Sequence, residues 1–184
     1  MFIRLLNDNT YEVRYSMVKS IIINKNNLIF YVNLFETIIK SDEWRIRFEM
    51  LKRLDNIIQI FIENKNYSND INELIKKYIL IFFEDKANDI RIYNLNLIII
   101  LIKNNIIIDI EKDIIPLQLN CLKKYKNFTL KMYILRTIEK LYIYYNNEQL
   151  NNILINIQEL KNDKVINIRE QTEKLFNLIN NLNN

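Results

Sequence analysis

A seven-residue pattern recurs five times in this chain of 184 residues, and it constrains the fold more than any other feature. The pattern is an acidic residue, four variable residues, an aliphatic residue and an arginine, as in Asp85 to Arg91. Its copies lie at 8–14, 41–47, 85–91, 125–131 and 163–169. Their cations, at 14, 47, 91, 131 and 169, are 33, 44, 40 and 38 residues apart. This spacing predicts an array of two-helix repeats.

The chemistry of the pattern is structural. An acid or a serine just before a helix accepts backbone N–H groups that have no partner within the helix. The aliphatic residue faces the core, and the arginine reaches the turn acid of a neighbouring repeat. Ser41 replaces the acid in the second copy, and Lys131 replaces the arginine in the fourth, which also lacks the acid. We expect a ladder of ion pairs that sets how the repeats stack and has no catalytic role. Its predicted members are Asp8, Arg14, Arg47, Asp85, Arg91, Asp163 and Arg169.

Apolar residues at helical spacing flank every copy of the pattern. Ile46, Met50 and Leu54 follow the second copy three to four residues apart. Further apolar helices are predicted before the copies, at about 28–40, 69–83, 109–124 and 147–161. Pro116 lies inside one of them and predicts a kink. The fold class is therefore all-α: a right-handed α-solenoid of about five helical hairpins, the first incomplete. The predicted repeats are approximately 1–25, 26–64, 65–104, 105–145 and 146–184.

The composition excludes many catalytic sites. The chain has no glycine, so it has no glycine-rich phosphate loop, and no histidine, so it has no histidine-dependent nucleophile or zinc helix. The single cysteine, Cys121, cannot form an internal disulfide or a CxxC metal clip. We therefore expect a protein that is not an enzyme, with no catalytic residue, no metal and no cofactor.

The charge is mildly basic, with 26 basic and 22 acidic residues and a net charge of +4. The densest basic stretch, Lys123 to Lys126, is too short for a nucleic-acid footprint. Aliphatic runs such as 97–102 fall short of a membrane span. We expect no nucleic-acid partner and no membrane association, and a location in the cytoplasm or, alternatively, the nucleus.

The N-terminal segment suggests an array that starts within a repeat. Only Phe2 to Leu6 precedes the first copy of the pattern, so the first helix of that repeat is short or missing. Because solenoids need capped ends, we expect self-association through this incomplete repeat or descent from a longer scaffold.

The order of the copies resembles one known family, the HEAT-repeat scaffold (regulatory A) subunit of protein phosphatase 2A. The resemblance covers nearly the whole chain and lies in the C-terminal repeats of that family. Trp44, in the turn Ser41 to Arg47, and Met132, in the turn Asn127 to Arg136, stand where the family has the same residue types. The matching segments, in order, are 5–14, 41–47, 74–91, 114–116, 127–136 and 163–169.

The resemblance implies a scaffold whose turns form a ridge that grips the catalytic subunit of a serine/threonine phosphatase. Two of the implied contacts depart from the family. Asn88 replaces an aromatic residue, and Lys131 replaces an arginine, which removes the planar fork that binds two acceptors at once. The implied partner-binding residues are Trp44, Arg45, Asn88, Phe128, Lys131 and Val165.

The residues themselves point to the same turns. Trp44 lies two residues before the core residue Ile46, so it should not face the core, and a turn tryptophan beside Arg45 is typical of an interface hot spot. Alternatively, Trp44 folds back over its own repeat. Phe128 has the same geometry, and it could equally serve as a hydrophobic staple for its helix.

Two other functions remain open at this point. Other HEAT-type modules bind proteins, including the tubulin-binding TOG arrays, which also use a turn tryptophan, although theirs lies in the first repeat. HEAT-like DNA glycosylases are an enzymatic alternative. They need a basic concave face with aromatic residues and a carboxylate, and the sequence shows no such cluster.

Overall fold

The computed structural model describes residues 2–23, 34–64, 69–106 and 110–182. These residues form helices joined by short turns and contain no strand, which confirms the predicted all-α class. None of the described helices is long and apolar enough to cross a membrane. The α-helices are α1 (Phe2–Leu6), α2 (Tyr11–Lys19), α3 (34–38), α4 (Trp44–Asn64), α5 (Asn69–Phe83), α6 (Asn88–Lys103), α7 (Ile115–Lys124), α8 (Phe128–Leu141), α9 (Asn147–Ile157) and α10 (Ile166–Leu182).

The predicted helices correspond to observed ones wherever the structure describes them. The helix predicted at 69–83 is α5 with the same bounds. The helix predicted at 147–161 is α9 followed by a 3-10 turn, Gln158–Asn162. Two predictions lie outside the described residues: the boundary between the first two repeats, and the first part of the helix predicted at 28–40.

Pro116 marks a change in helix type. A π-helical turn, Ile110–Ile114, precedes α7, and Pro116 is the second residue of α7. Proline fits the first turn of a helix because its missing N–H has no acceptor within the helix there. The structure therefore places the proline at a helix start, where the sequence predicted a kink inside a helix.

The chain divides into two compact units, Met1–Asn94 and Leu95–Asn184, with the division inside α6. In the first unit α2 packs against α1 and α4, and α4 packs against α5. Met50 and Leu54 are fully buried there. The rings of Phe35 and Tyr78 are also buried, with centroids 4.9 Å apart.

In the second unit α7 packs against α8 and α9. Helices α8 and α9 each pack against α10. Ile138, Ile153 and Leu175 are fully buried. Thr172 is buried with them, and its hydroxyl donates to the Ile168 carbonyl at 2.7 Å, so burial leaves this hydroxyl with an acceptor.

At the C-terminal end of α6, an asparagine takes the backbone conformation that glycine usually adopts. Asn105 has φ of 54°, the left-handed conformation that asparagine tolerates best after glycine. It follows the end of α6, and the Ile106 N–H then donates to the Leu101 carbonyl at 3.0 Å. This bond closes the helix in the manner of a Schellman motif, with asparagine in the usual glycine position.

The N-terminus of α9 supplies a test of local stability. The Asn146 side chain accepts the Gln149 N–H at 2.8 Å, and the Gln149 side chain accepts the Asn146 N–H at 2.9 Å. Because Asn146→Ala removes one of these reciprocal bonds, it should lower the free energy of unfolding by about 1 kcal/mol. Urea unfolding measures the change. The exposed neighbour Asn147→Ala is the control, and equal effects in the two variants would contradict a capping role.

Candidate functional site

Four copies of the pattern fold into the same closed turn. In each, the first side chain accepts the backbone N–H two positions later. The distance is 2.8 Å for Asp8 and Asp85, 2.9 Å for Asp163 and 3.3 Å for Ser41. A short side chain that bonds its own backbone in this way fixes a turn before the helix begins.

The arginine of each of these copies closes the turn from the other side. Arg47 donates to the carbonyl of Ser41 at 2.7 Å, and Arg169 donates to that of Asp163 at 2.7 Å. Arg14 and Arg91 bond the carbonyl six positions earlier in the same way. Each of these arginines therefore stabilises its own turn, whether or not it also bonds a neighbouring turn.

Arg47 also links two successive turns of the first unit. Its Nε and Nη2 atoms lie 2.7 and 2.8 Å from the two carboxylate oxygens of Asp85. The two side chains are only 10% and 8% exposed. Their hydrogen bond raises the pKa of Arg47 above its ordinary value. This two-bond geometry is the one that the planar guanidinium group favours.

The second copy, which has a serine in place of the acid, obtains its carboxylate from Glu43. Arg14 forms an ion pair with Glu43, and the Ser41 hydroxyl donates to the other Glu43 oxygen at 2.9 Å. The Ser41 hydroxyl, followed by Arg14, lowers the pKa of Glu43. Glu43 was not predicted from the sequence, although an acid two positions after the serine was a visible signal.

Lys131 makes the corresponding link in the second unit. Its Nζ atom lies 2.8 Å from a carboxylate oxygen of Asp163, and both side chains are largely buried. Burial by itself would raise the pKa of Asp163. The Lys131 ammonium and the Val165 N–H outweigh burial, so the pKa is lowered. The structure thus gives Lys131, which the resemblance placed in the partner interface, a contact inside the chain.

The lowered pKa of Asp163 predicts a pH-dependent stability. A carboxyl whose pKa is lower in the folded state stabilises that state above its unfolded pKa, and this contribution is lost as the pH falls through the folded value. At pH 7, Asp163→Asn should lower the free energy of unfolding by about 1 kcal/mol, because asparagine keeps the turn bond but not the ion pair. Below the ordinary pKa of 3.8 the difference from wild type should shrink. Urea unfolding from pH 2.5 to 7 measures it, and a pH-independent difference would contradict the prediction.

The helices that follow the five turns all begin at one position, which we call the helix-start position. It lies three residues before the cation of each copy, and four of its five residues are large and apolar or aromatic. These residues are Tyr11, Trp44, Asn88, Phe128 and Ile166. A shared register places four of them beside a closed turn, and Phe128 follows the fourth copy, whose helix is capped by Asn127 instead.

Trp44 lies at the helix-start position of α4, outside the buried core and partly exposed. The Arg45 guanidinium stacks over its ring, 4.8 Å from the centroid. The Phe48 ring is tilted against the indole with its centroid 6.3 Å away, and it meets the Tyr93 ring edge to face at 5.4 Å between centroids. Tyr93 donates its hydroxyl to Asp55 at 2.6 Å, and burial and this bond raise its pKa. Trp44 therefore ends a row of aromatic rings.

In the second unit, the two helix-start residues are more than half exposed. Phe128 is 54% exposed and Ile166 is 56% exposed. The Asn127 side chain accepts the Leu130 N–H at 3.0 Å and so caps the helix that Phe128 begins. Val165, the residue implied by the resemblance, is half-buried. Ile166 was not predicted from the sequence, although it precedes the arginine of its copy by three residues, as Trp44 does.

Asn88 is the polar exception among the helix-start residues. Its side-chain oxygen accepts a bond from Arg91 three residues later. This contact holds the Asn88 side chain against its own turn. Asn88 therefore offers a partner less apolar contact surface than the aromatic residue that the resemblance implies.

The described residues hold no group of three or more Cys, Asp and Glu side chains that could bind a metal. Cys121 is buried. In comparisons with known proteins, no protein-family model matches this sequence, and no curated protein matches it.

Proposed function

We propose that the chain is a non-catalytic scaffold that binds a protein partner through its helix-start residues. The fold that we propose is a right-handed HEAT-type α-solenoid of about five hairpins. The contacts within the second unit support it, because α7 packs against α8 and α9, and α8 packs against α10. Because α9 also packs against α10, each of these helices contacts the other helix of its own hairpin and its counterpart in the other hairpin, as in a stacked array.

The exposed apolar side chains at the helix-start position carry this proposal. Phe128 and Ile166 expose more than half of their surface beside turns whose cations are bonded within the chain. Exposed apolar residues mark interaction surfaces when they lie together in one patch, and Phe128 and Ile166 begin two helices that pack against each other. Recurrence favours a partner interface over separate staples for individual helices.

Trp44 and Arg45 add a pre-organised contact in the first unit. The Arg45 guanidinium group already stacks on the indole in the free chain, and a contact formed before binding reduces the entropy that is lost when a partner binds. Tryptophan and arginine are also the residues most enriched among interface hot spots. The pair suits a partner pocket that has an apolar floor and a carboxylate at its rim.

We propose a serine/threonine phosphatase catalytic subunit as this partner, and the cytoplasm as the site of the interaction. Support comes from the resemblance of the ordered turns to the scaffold subunit of protein phosphatase 2A. The partly exposed Trp44 and the exposed Phe128 lie in two of the turns that carry the resemblance.

A direct binding assay tests the proposal. The purified full chain is immobilised and exposed in turn to a phosphatase catalytic subunit, to tubulin and to duplex DNA. Saturable binding of the catalytic subunit alone is expected. Binding of tubulin alone would favour a TOG-type module. DNA binding with a steep salt dependence would favour the glycosylase alternative.

A further inference from the structure

The ladder leaves a carboxylate at Asp8 without its cation. Asp85 and Asp163 each accept a turn N–H and also a cation from the preceding turn. Asp8 occupies the same place in its turn and accepts the Thr10 N–H at 2.8 Å. Within the described part of the chain, no cation lies within ion-pair distance of Asp8.

Arg169 is the matching cation. Arg14, Arg47 and Lys131 each hold a carboxylate of the following turn. Among the described residues, Arg169 donates to the carbonyls of Asp163 at 2.7 Å and Lys164 at 3.3 Å. Its charge helps to lower the pKa of Asp163, but no described carboxylate lies within ion-pair distance of it.

Each of these groups lies beside an open apolar groove. On the outer face of α10, a groove of about 690 Å³ is lined by Arg169 together with Ile166 and Leu178. A groove of about 500 Å³ is lined by residues that include Glu12, Val13 and Leu5, and the Leu5 carbonyl accepts the Asp8 N–H at 3.3 Å. We call these the α10 face and the α2 face. Each combines an apolar surface with one half of a ladder contact.

We propose that the α10 face of one copy binds the α2 face of a second copy, so that Arg169 pairs with Asp8 across the interface. The contact would reproduce the link that Arg47 makes with Asp85 within the chain. A second copy is the occupant that the charges favour, because it supplies the missing carboxylate in a turn of the same construction. Two different faces meet in this contact, so it can propagate from copy to copy. It does not depend on the proposed phosphatase partner.

Two single variants and their mixture test this proposal. Asp8→Asn keeps the bond to the Thr10 N–H but removes the charge, and Arg169→Gln removes the opposite charge. Sedimentation equilibrium of the wild-type chain should show an average mass that rises with concentration beyond that of a dimer. Each variant alone should associate roughly tenfold more weakly or worse. Their equimolar mixture retains one intact interface per pair, so it should stop at a dimer.

Matched controls separate the interface from general effects of charge. Asp89→Asn and Lys86→Gln change the same charges at exposed positions elsewhere and should leave association unchanged. Helicity by circular dichroism checks that the variants fold. Raising the salt concentration should weaken association of the wild-type chain and needs no variant. A wild-type chain that stays monomeric up to its solubility limit would overturn the proposal, as would equal association of all the variants.

Discussion

Arg47→Met should lower the free energy of unfolding by about 3 kcal/mol, the largest effect that we expect from a polar substitution. The guanidinium group holds both oxygens of Asp85 and the carbonyls of Ser41 and Asp42. Its loss leaves a nearly buried carboxylate without a cation and leaves two carbonyls without these donors. Uncompensated buried charge costs far more than a surface ion pair contributes.

Urea unfolding of Arg47→Met, Asp85→Asn and the double variant measures this coupling. Because asparagine still accepts the Ala87 N–H, Asp85→Asn isolates the ion pair. The double variant should lose much less than the sum of the two single variants. Arg45→Met, an exposed neighbour in α4, is the control and should change stability by about 0.5 kcal/mol or less. Additive single variants would contradict the proposed link between turns.

Trp44→Ala should weaken binding of the partner by about 2 kcal/mol or more, roughly thirtyfold, with little change in stability. Trp44 lies outside the buried core, and its neighbours Arg45 and Phe48 remain without it. Phe128→Ala should act in the same direction. Titration of the immobilised chain with the catalytic subunit measures the affinity, and circular dichroism measures the fold.

Tyr144→Ala is the matched control for Trp44→Ala. Tyr144 is an exposed aromatic residue in a 3-10 turn, away from the helix-start positions, and its loss should leave partner binding unchanged. If Trp44→Ala instead lost helicity, the tryptophan would stabilise the fold through its contact with the other aromatic rings and would not act as an interface residue. Equal losses of binding in the two variants would remove the helix-start residues from the proposed interface.

Helical periodicity predicted most of the core but not its edges. Met50, Leu54 and Ile138 are buried as their spacing indicates. Three residues at equally regular spacing are not: Val13 is half-buried, Tyr93 is half-buried with its hydroxyl on Asp55, and Leu182 is 53% exposed. The spacing of apolar residues identifies which face of a helix is apolar. Burial of each residue on that face depends on whether another helix covers it at that position along the helix axis.

The candidate site was predictable only in part for a related reason. The position of Trp44 beside a turn follows from its distance to Ile46. Glu43 and Ile166 were missed because their roles depend on other segments. Glu43 serves as the acid for Arg14, which is 29 residues away, and Ile166 lies at an exposed start of α10.

The amino-acid sequence by itself determined the helices and the closed turns, since capping and turn bonds join residues two to six positions apart and follow from local chemistry. Tertiary structure alone decided which cation meets which acid, that Lys131 bonds Asp163 within the chain, and that Asp8 and Arg169 have no ion-pair partner among the described residues. Such contacts join residues about 30 to 40 positions apart, and how helices stack depends on the fit of many side chains at once.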